Sequence, residues 1–89
     1  MIEREVTIVN KLGLHARAAA KLVSMASSFA ASVEIKRDTQ QVNGKSIMGV
    51  MMLAASKGTE LTLTVDGEDE EQAMLALERL IADRFGENE

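Results

Sequence analysis

The run Gly13-Leu14-His15-Ala16-Arg17 sets the chain's only histidine two residues before an arginine, where a glycine-containing loop gives way to an alanine-rich segment. A neutral imidazole nitrogen is a nucleophile usable near neutral pH. The planar guanidinium fork of Arg17 suits phosphate oxygens. The first turn of a helix adds N–H groups without intrahelical partners, and the positive end of the helix dipole favours an anion there. Gly13 permits the positive φ that a tight entry turn requires. These types at this spacing point to a histidine that accepts a phosphoryl group. No Ser/His/Asp or Cys/His set accompanies it, which argues against nucleophilic hydrolysis. With one histidine and no cysteine, no metal site and no cofactor are expected.

Two further groups could take part. Ser46 stands before a short apolar run and is suited to cap a helix with its hydroxyl, a role that explains a serine there without any regulation. Ile47, Met48, Met51 and Met52 crowd into less than two helical turns and cannot all point one way. Some of them are expected in the core, since a helix of this pattern has to bury a face; all four could be core, with methionine filling gaps, or the rest could make an adaptable face for partners of different shape. Asn43-Gly44-Lys45-Ser46 invites comparison with a nucleotide-binding loop. That loop needs a glycine where Thr39 stands, and the strand before it is too short.

The elements that must position these residues are legible in the periodicity. Glu3 to Val9 reads as a strand, with Val6 and Ile8 facing away from Glu5 and Thr7. Ala16 to about Ser27 is helical, with a thin apolar stripe of Ala19, Leu22, Val23 and Ala26 that allows close packing on a sheet. Ser32 to Lys36 alternates as a strand. After the polar turn Arg37 to Gln40, Gln41 to Asn43 is its hairpin partner. A short helix from Ile47 to about Leu53 is expected to run out at Gly58. Glu60 to Asp66 is the clearest strand, with Leu61, Leu63 and Val65 alternating with Thr62 and Thr64. Asp69 and Gln72 look like a capping box for the last helix. Its buried stripe is Ala73, Leu77, Leu80 and Ile81, with Met74 at the edge, and Gly86 ends it before an acidic tail expected to fray. Each strand has one polar face, so the sheet should be covered on one side only. The fold expected is α+β, a two-layer sandwich of order β-α-β-β-α-β-α, with four strands on one side and three helices on the other.

Bulk properties narrow the function classes. Eighty-nine residues that are 46% hydrophobic are expected to form one domain, residues 1–89, with one core. Fourteen acidic and ten basic residues give a net charge of −4, and the only aromatics are two phenylalanines. Neither nucleic-acid binding nor stacking on single strands fits that balance. The acidity gathers late in the chain, which places the working end among the neutral to basic residues of the first half. No segment is long and apolar enough to insert in a membrane. The charged first residues do not resemble a secretory signal, so a cytoplasmic location is expected.

At the residues already named, the chain resembles the histidine-containing phosphocarrier (HPr) family of the bacterial phosphotransferase system. Gly13-Leu14-His15-Ala16-Arg17 matches the family's active-site segment. Lys45-Ser46-Ile47-Met48-Gly49-Val50-Met51-Met52-Leu53 matches its second signature at the expected separation. The resemblance spans essentially the whole chain and implies an open-faced β-sandwich with antiparallel strand order 1-4-2-3. It implies a stoichiometric relay more than a turnover enzyme. His15 would take a phosphoryl group on Nδ1 from phosphorylated Enzyme I, itself charged from phosphoenolpyruvate, and pass it to a histidine of an EIIA-type protein. Arg17 would stabilise the phosphoryl charge, together with the backbone amides of Ala16, Arg17 and Ala18. Ala18 departs from the proline found in many relatives, which bears on rigidity alone.

By matching position, Ala20, Ser24, Ile47, Met48 and Met51 would form the docking face for both partners. Ser46 would be the serine that HPr kinase/phosphorylase modifies in some relatives. A monomer fits a relay that must expose its docking face. Two other functions compete: an NPr-type carrier of the nitrogen-related regulatory branch, and a regulatory interaction module that uses the same face without relaying phosphate.

Overall fold

The strands pair as their alternation requires. In the computed structural model, which describes residues 1–89, the elements are β1 (Ile2–Thr7), α1 (Ala16–Ser27), β2 (Ser32–Arg37), β3 (Gln40–Asn43), α2 (Ile47–Met52), β4 (Glu60–Asp66) and α3 (Glu70–Ala82), followed by a 3-10 turn at Arg84–Gly86. The four strands form one antiparallel sheet in the order β1-β4-β2-β3. Register sets Val33 opposite Val65 and Ile35 opposite Leu63, so the alternating apolar residues share one face. Val33, Ile35, Leu61, Leu63 and Val65 are buried there, each contributing about 1.5–3 kcal/mol relative to exposure. The other face is polar. Thr62 lies between Glu5 and Lys36, and Thr64 between Glu3 and Glu34.

The helices cover the apolar face. α1 has the expected bounds and buries Ala18 as well as Ala19, Leu22, Val23 and Ala26. Those alanines let the helix approach closely, and the stripe joins one core cluster with Leu53, Leu77, Ile81 and Phe85.

Several expectations are corrected at element ends. β1 stops at Thr7, two residues short of Val9. α2 ends at Met52, well before Gly58, because Ala54 takes the left-handed conformation (φ 50°) and leaves the helix. Arg37 Nη1 then donates to the carbonyls of Leu53 and Ala54 at 2.7 and 2.8 Å, satisfying acceptors that the helix end frees. Asp69 precedes α3, but its side chain makes no cap hydrogen bond. Its carboxylate accepts from the Ala30 and Ala31 N–H groups at 2.9 and 2.8 Å instead. Met74 is fully buried in the core, not at its edge, whereas Leu80 is only partly covered.

Candidate functional site

The chain around His15 is held in place before the helix begins. Gly13 has φ +69°, and a Cβ there would collide with the Ala55 carbonyl oxygen and lie 2.8 Å from the Ser56 Cα. The next N–H, of Leu14, donates to that same carbonyl at 2.8 Å. Only glycine fits this conformation at this approach. Leu14 is buried beside it, so the entry to α1 is fastened to the segment after α2.

His15 is the N-cap residue, with extended backbone (φ −72°, ψ 176°) and no side-chain cap bond. Its carbonyl accepts from the Ala19 N–H at 2.8 Å, the first hydrogen bond of the helix. The N–H groups of Ala16, Arg17 and Ala18 have no hydrogen-bond partner in the chain. The imidazole is thus freed from capping and stands beside three unpaired donors. Arg17 is exposed and opens on the same cleft as His15, together with Lys11 and Leu12. It forms no ion pair within the chain and is available to an incoming anion.

The far wall of that cleft is the C-terminal tail, whose acidic sequence suggests fraying but which folds back on the site. After α3 the chain turns sharply through Arg84 and Phe85, both with left-handed φ (57° and 55°). Such backbone is costly for non-glycine residues, and the burial of Phe85 in the core holds it. Lys21 Nζ donates to the Phe85 carbonyl at 2.7 Å, tying the turn to α1. Glu87 then reaches His15: its Oε2 contacts the ring Nε2. Its Oε1 accepts from the Asn10 Nδ2 at 3.0 Å, and Nδ2 also donates to the Gly13 carbonyl at 2.8 Å. Asn10 is fully buried and its Oδ1 has no partner. Lys11 Nζ pairs with Glu89 at 3.2 Å across the same opening.

The sequence carries no direct sign of Asn10, Glu87 and Glu89 at the site, and the acidity expected at a distant end enters it through the two glutamates. The separation of 72 residues between His15 and Glu87 gives local pattern nothing to read. One signal was available: Phe85, an isolated aromatic in a polar tail, needs a core to bury it and so predicts that the tail folds back. The hydrogen bonds from His15 and then Asn10 hold the Glu87 carboxyl below its ordinary pKa, with the charge of Lys21 adding to the effect.

The second group of residues is placed on α2, outside the His15 cleft. Ser46 caps that helix, its Oγ accepting from the Gly49 N–H at 3.1 Å. Ile47, Met48, Met51 and Met52 are all exposed, Met48 at 77%, and Val50 is the helix's one buried residue. The alternative that they are core is therefore excluded. Ala20 and Ser24 are exposed on α1, which packs against α2. Leu12, also exposed, lines the His15 cleft.

The family model described as the PTS HPr component phosphorylation site matches residues 2–83. The chain belongs to the HPr family. An HPr phosphocarrier protein of Cupriavidus necator is 58% identical to it over 89 residues, covering the whole of both chains. The solved structure of HPr-C-His from Thermoanaerobacter tengcongensis superposes with a TM-score of 0.96 at 46% identity, again over the whole of both chains. A structure described as an HPr dimer from that organism is 47% identical, with a TM-score of 0.79 over 98% of this chain and all of that one. Membership of the HPr family makes the chain a phosphocarrier of the phosphotransferase system. None of its helices is long and apolar enough to cross a membrane.

Proposed function

We propose that this HPr-family chain, acting as a single domain over residues 1–89, carries a phosphoryl group on His15. It takes the group from phosphorylated Enzyme I and passes it to EIIA-type proteins. One observation carries the reading: the His15 ring is engaged through Nε2 alone, beside the unpaired N–H groups of Ala16, Arg17 and Ala18 and the uncommitted Arg17 guanidinium. Nδ1 is thereby the nitrogen left to attack phosphorus. Transfer to it develops negative charge on the phosphoryl oxygens, and the helix amides and Arg17 are the donors that stabilise that charge. Orientation costs nothing extra during transfer, because Gly13 and Leu14 hold the loop in advance.

Ala20, Ser24, Ile47, Met48 and Met51 serve as the docking face for both partners. Flexible methionines on an exposed helix accommodate two differently shaped surfaces better than branched side chains do. The carrier works as a cytoplasmic monomer, leaving this face free. Ser46 is the position for regulatory phosphorylation by a kinase of the HPr kinase/phosphorylase type. A phosphoserine adds about −1.5 to −2 charge at a helix N-terminus, where it is tolerated, and repels an acidic partner.

The test is intact-mass analysis after incubation with Enzyme I and phosphoenolpyruvate, before and after mild acid. One added phosphoryl group that acid removes is the expected result, with none on His15→Ala. A variant lacking His15 that still gained the group would refute the site. Wild-type protein that gained none from active Enzyme I would refute the carrier.

A further inference from the structure

Glu87 lies in contact with the reacting ring, and the mechanism above gives it no task. Its position is built by several elements together. Phe85 anchors the turn in the core, Lys21 on α1 holds the Phe85 carbonyl, and Asn10, buried after β1, donates to the free oxygen of the carboxylate. The result is a carboxylate with one oxygen fixed by an amide and the other on Nε2 of His15. An ionised carboxylate is an acceptor only. The ring nitrogen facing it must therefore be the donor, and in the neutral imidazole the lone pair is left on Nδ1.

We infer that Glu87 is a positioning residue for phosphoryl transfer: it fixes the Nε2–H form of His15 and faces the positive charge the ring acquires when Nδ1 is phosphorylated. The inference rests on the carrier reading above. Written out, the Nδ1 lone pair forms the new N–P bond as the P–N bond of a phosphohistidine donor breaks. That bonding pair returns to the donor's nitrogen. The proton on Nε2 stays where it is, so the His15 ring is cationic after transfer. Glu87 meets that cation at the ring edge away from the phosphoryl group. The arrangement parallels the aspartate of a serine-protease triad, which holds its histidine in one tautomer and stabilises the imidazolium without taking the proton.

Two consequences follow for the carrier. A cationic ring is a good leaving group, so keeping the Nε2 proton keeps the phosphoryl group easy to pass on. When it leaves, the N–P pair returns to Nδ1 and the starting tautomer is restored with no proton exchanged. The other charged groups facing this corner are Lys21, Lys11, Arg17 and Glu89. None of these four hydrogen-bonds or ion-pairs with the ring; Glu87 alone does.

The test compares wild type with Glu87→Gln, which keeps the shape and removes the charge, and Glu87→Ala, which removes the acceptor. Glu87 is outside the hydrophobic core, so both variants should fold; thermal melting verifies this. With catalytic Enzyme I and phosphoenolpyruvate, Glu87→Gln should lower kcat for phosphorylation about tenfold, the scale of one charge-assisted hydrogen bond. KM should change little, because the docking face is untouched. In ¹H–¹⁵N spectra of wild type, the ring should carry its proton on Nε2, shifted downfield and slow to exchange, and Glu87→Ala should lose that signal. An unchanged kcat in Glu87→Gln, or a wild-type proton found on Nδ1, would overturn the inference and leave the carrier reading standing. Failure of wild type to take up an acid-labile phosphoryl group would sink the carrier reading itself.

Discussion

At the scale of single residues, the site depends on what each side chain is prevented from doing. His15 sits where a cap residue would ordinarily bond back to the helix, yet it makes no cap bond, and its Nε2 is taken by Glu87. Arg17 is denied any partner in its own chain, so its fork waits for an anion. Arg17→Lys keeps the charge and loses the paired donors. It is expected to slow phosphorylation about tenfold with an unchanged melting temperature, because the side chain is exposed and unpaired. Single-turnover phosphorylation with Enzyme I checks this, and an undiminished rate would mean that the guanidinium geometry is unimportant. His15, Arg17 and the neighbouring amides were legible in the sequence because they are contiguous. The carboxylate on the ring was not, because residues at opposite ends of the chain meet only once the core has formed.

At the scale of elements, periodicity located the four strands and three α-helices, but not the 3-10 turn at Arg84–Gly86 that follows the end of α3 at Ala82, and most other differences fall at ends that tertiary contacts decide. α1 is bounded as its alanine stripe implies. α2 ends close to the expected Leu53, but its stop is Ala54 turning out of the helix and not Gly58, and Arg37 of β2 donates to the Leu53 and Ala54 carbonyls just beyond its end. The Ser46 cap is local and was read correctly. Its bond to the Gly49 N–H is the only side-chain cap of this six-residue helix, so Ser46→Ala should cost about 1 kcal/mol of stability. Denaturant melts would show it; a midpoint equal to wild type would mean that packing alone holds the helix.

The Asp69 motif fits a cap, but two N–H groups after α1, those of Ala30 and Ala31, compete for the carboxylate and win. The hydrogen bond from Ala30 foremost, then that from Ala31, with the charge of Lys45 in support, lowers its pKa from the usual 3.8. A carboxyl with a depressed folded pKa adds stability above its unfolded value, and that contribution is lost as pH falls through the folded one. Asp69→Asn should therefore melt lower than wild type at neutral pH. The gap should narrow below about pH 3.8, where the wild-type carboxyl also loses its charge. A gap independent of pH would assign the effect to shape and not to charge.

At the scale of the molecule, one side of the sheet carries nothing but polar side chains, and every chemical feature lies with the helices. The loop that leads into α1 is fastened to the segment after α2 by the Leu14 N–H on the Ala55 carbonyl, and α1 packs against α2, so the His15 cleft and the exposed residues of α2 are parts of one helical layer. On the proposed function, a partner seated on Ile47, Met48 and Met51 would bring its reacting group towards His15 and so couple docking to transfer. The apolar cluster was visible in the sequence and the family resemblance implied that Ile47, Met48 and Met51 face outward, but helical spacing alone cannot say which face a short helix buries, and none of the four is in the core. Exposure now separates binding from folding. Met48 is 77% exposed, so Met48→Ala should change stability by no more than about 0.5 kcal/mol. If the face docks partners, the same variant should weaken association with Enzyme I about tenfold, the loss expected of an apolar anchor at an interface. Calorimetric titration measures the affinity and thermal melting the stability. Weaker binding with an unshifted melt places Met48 in the interface; unaltered affinity would move docking elsewhere, and the His15 cleft would then have to recognise its partners by charge alone.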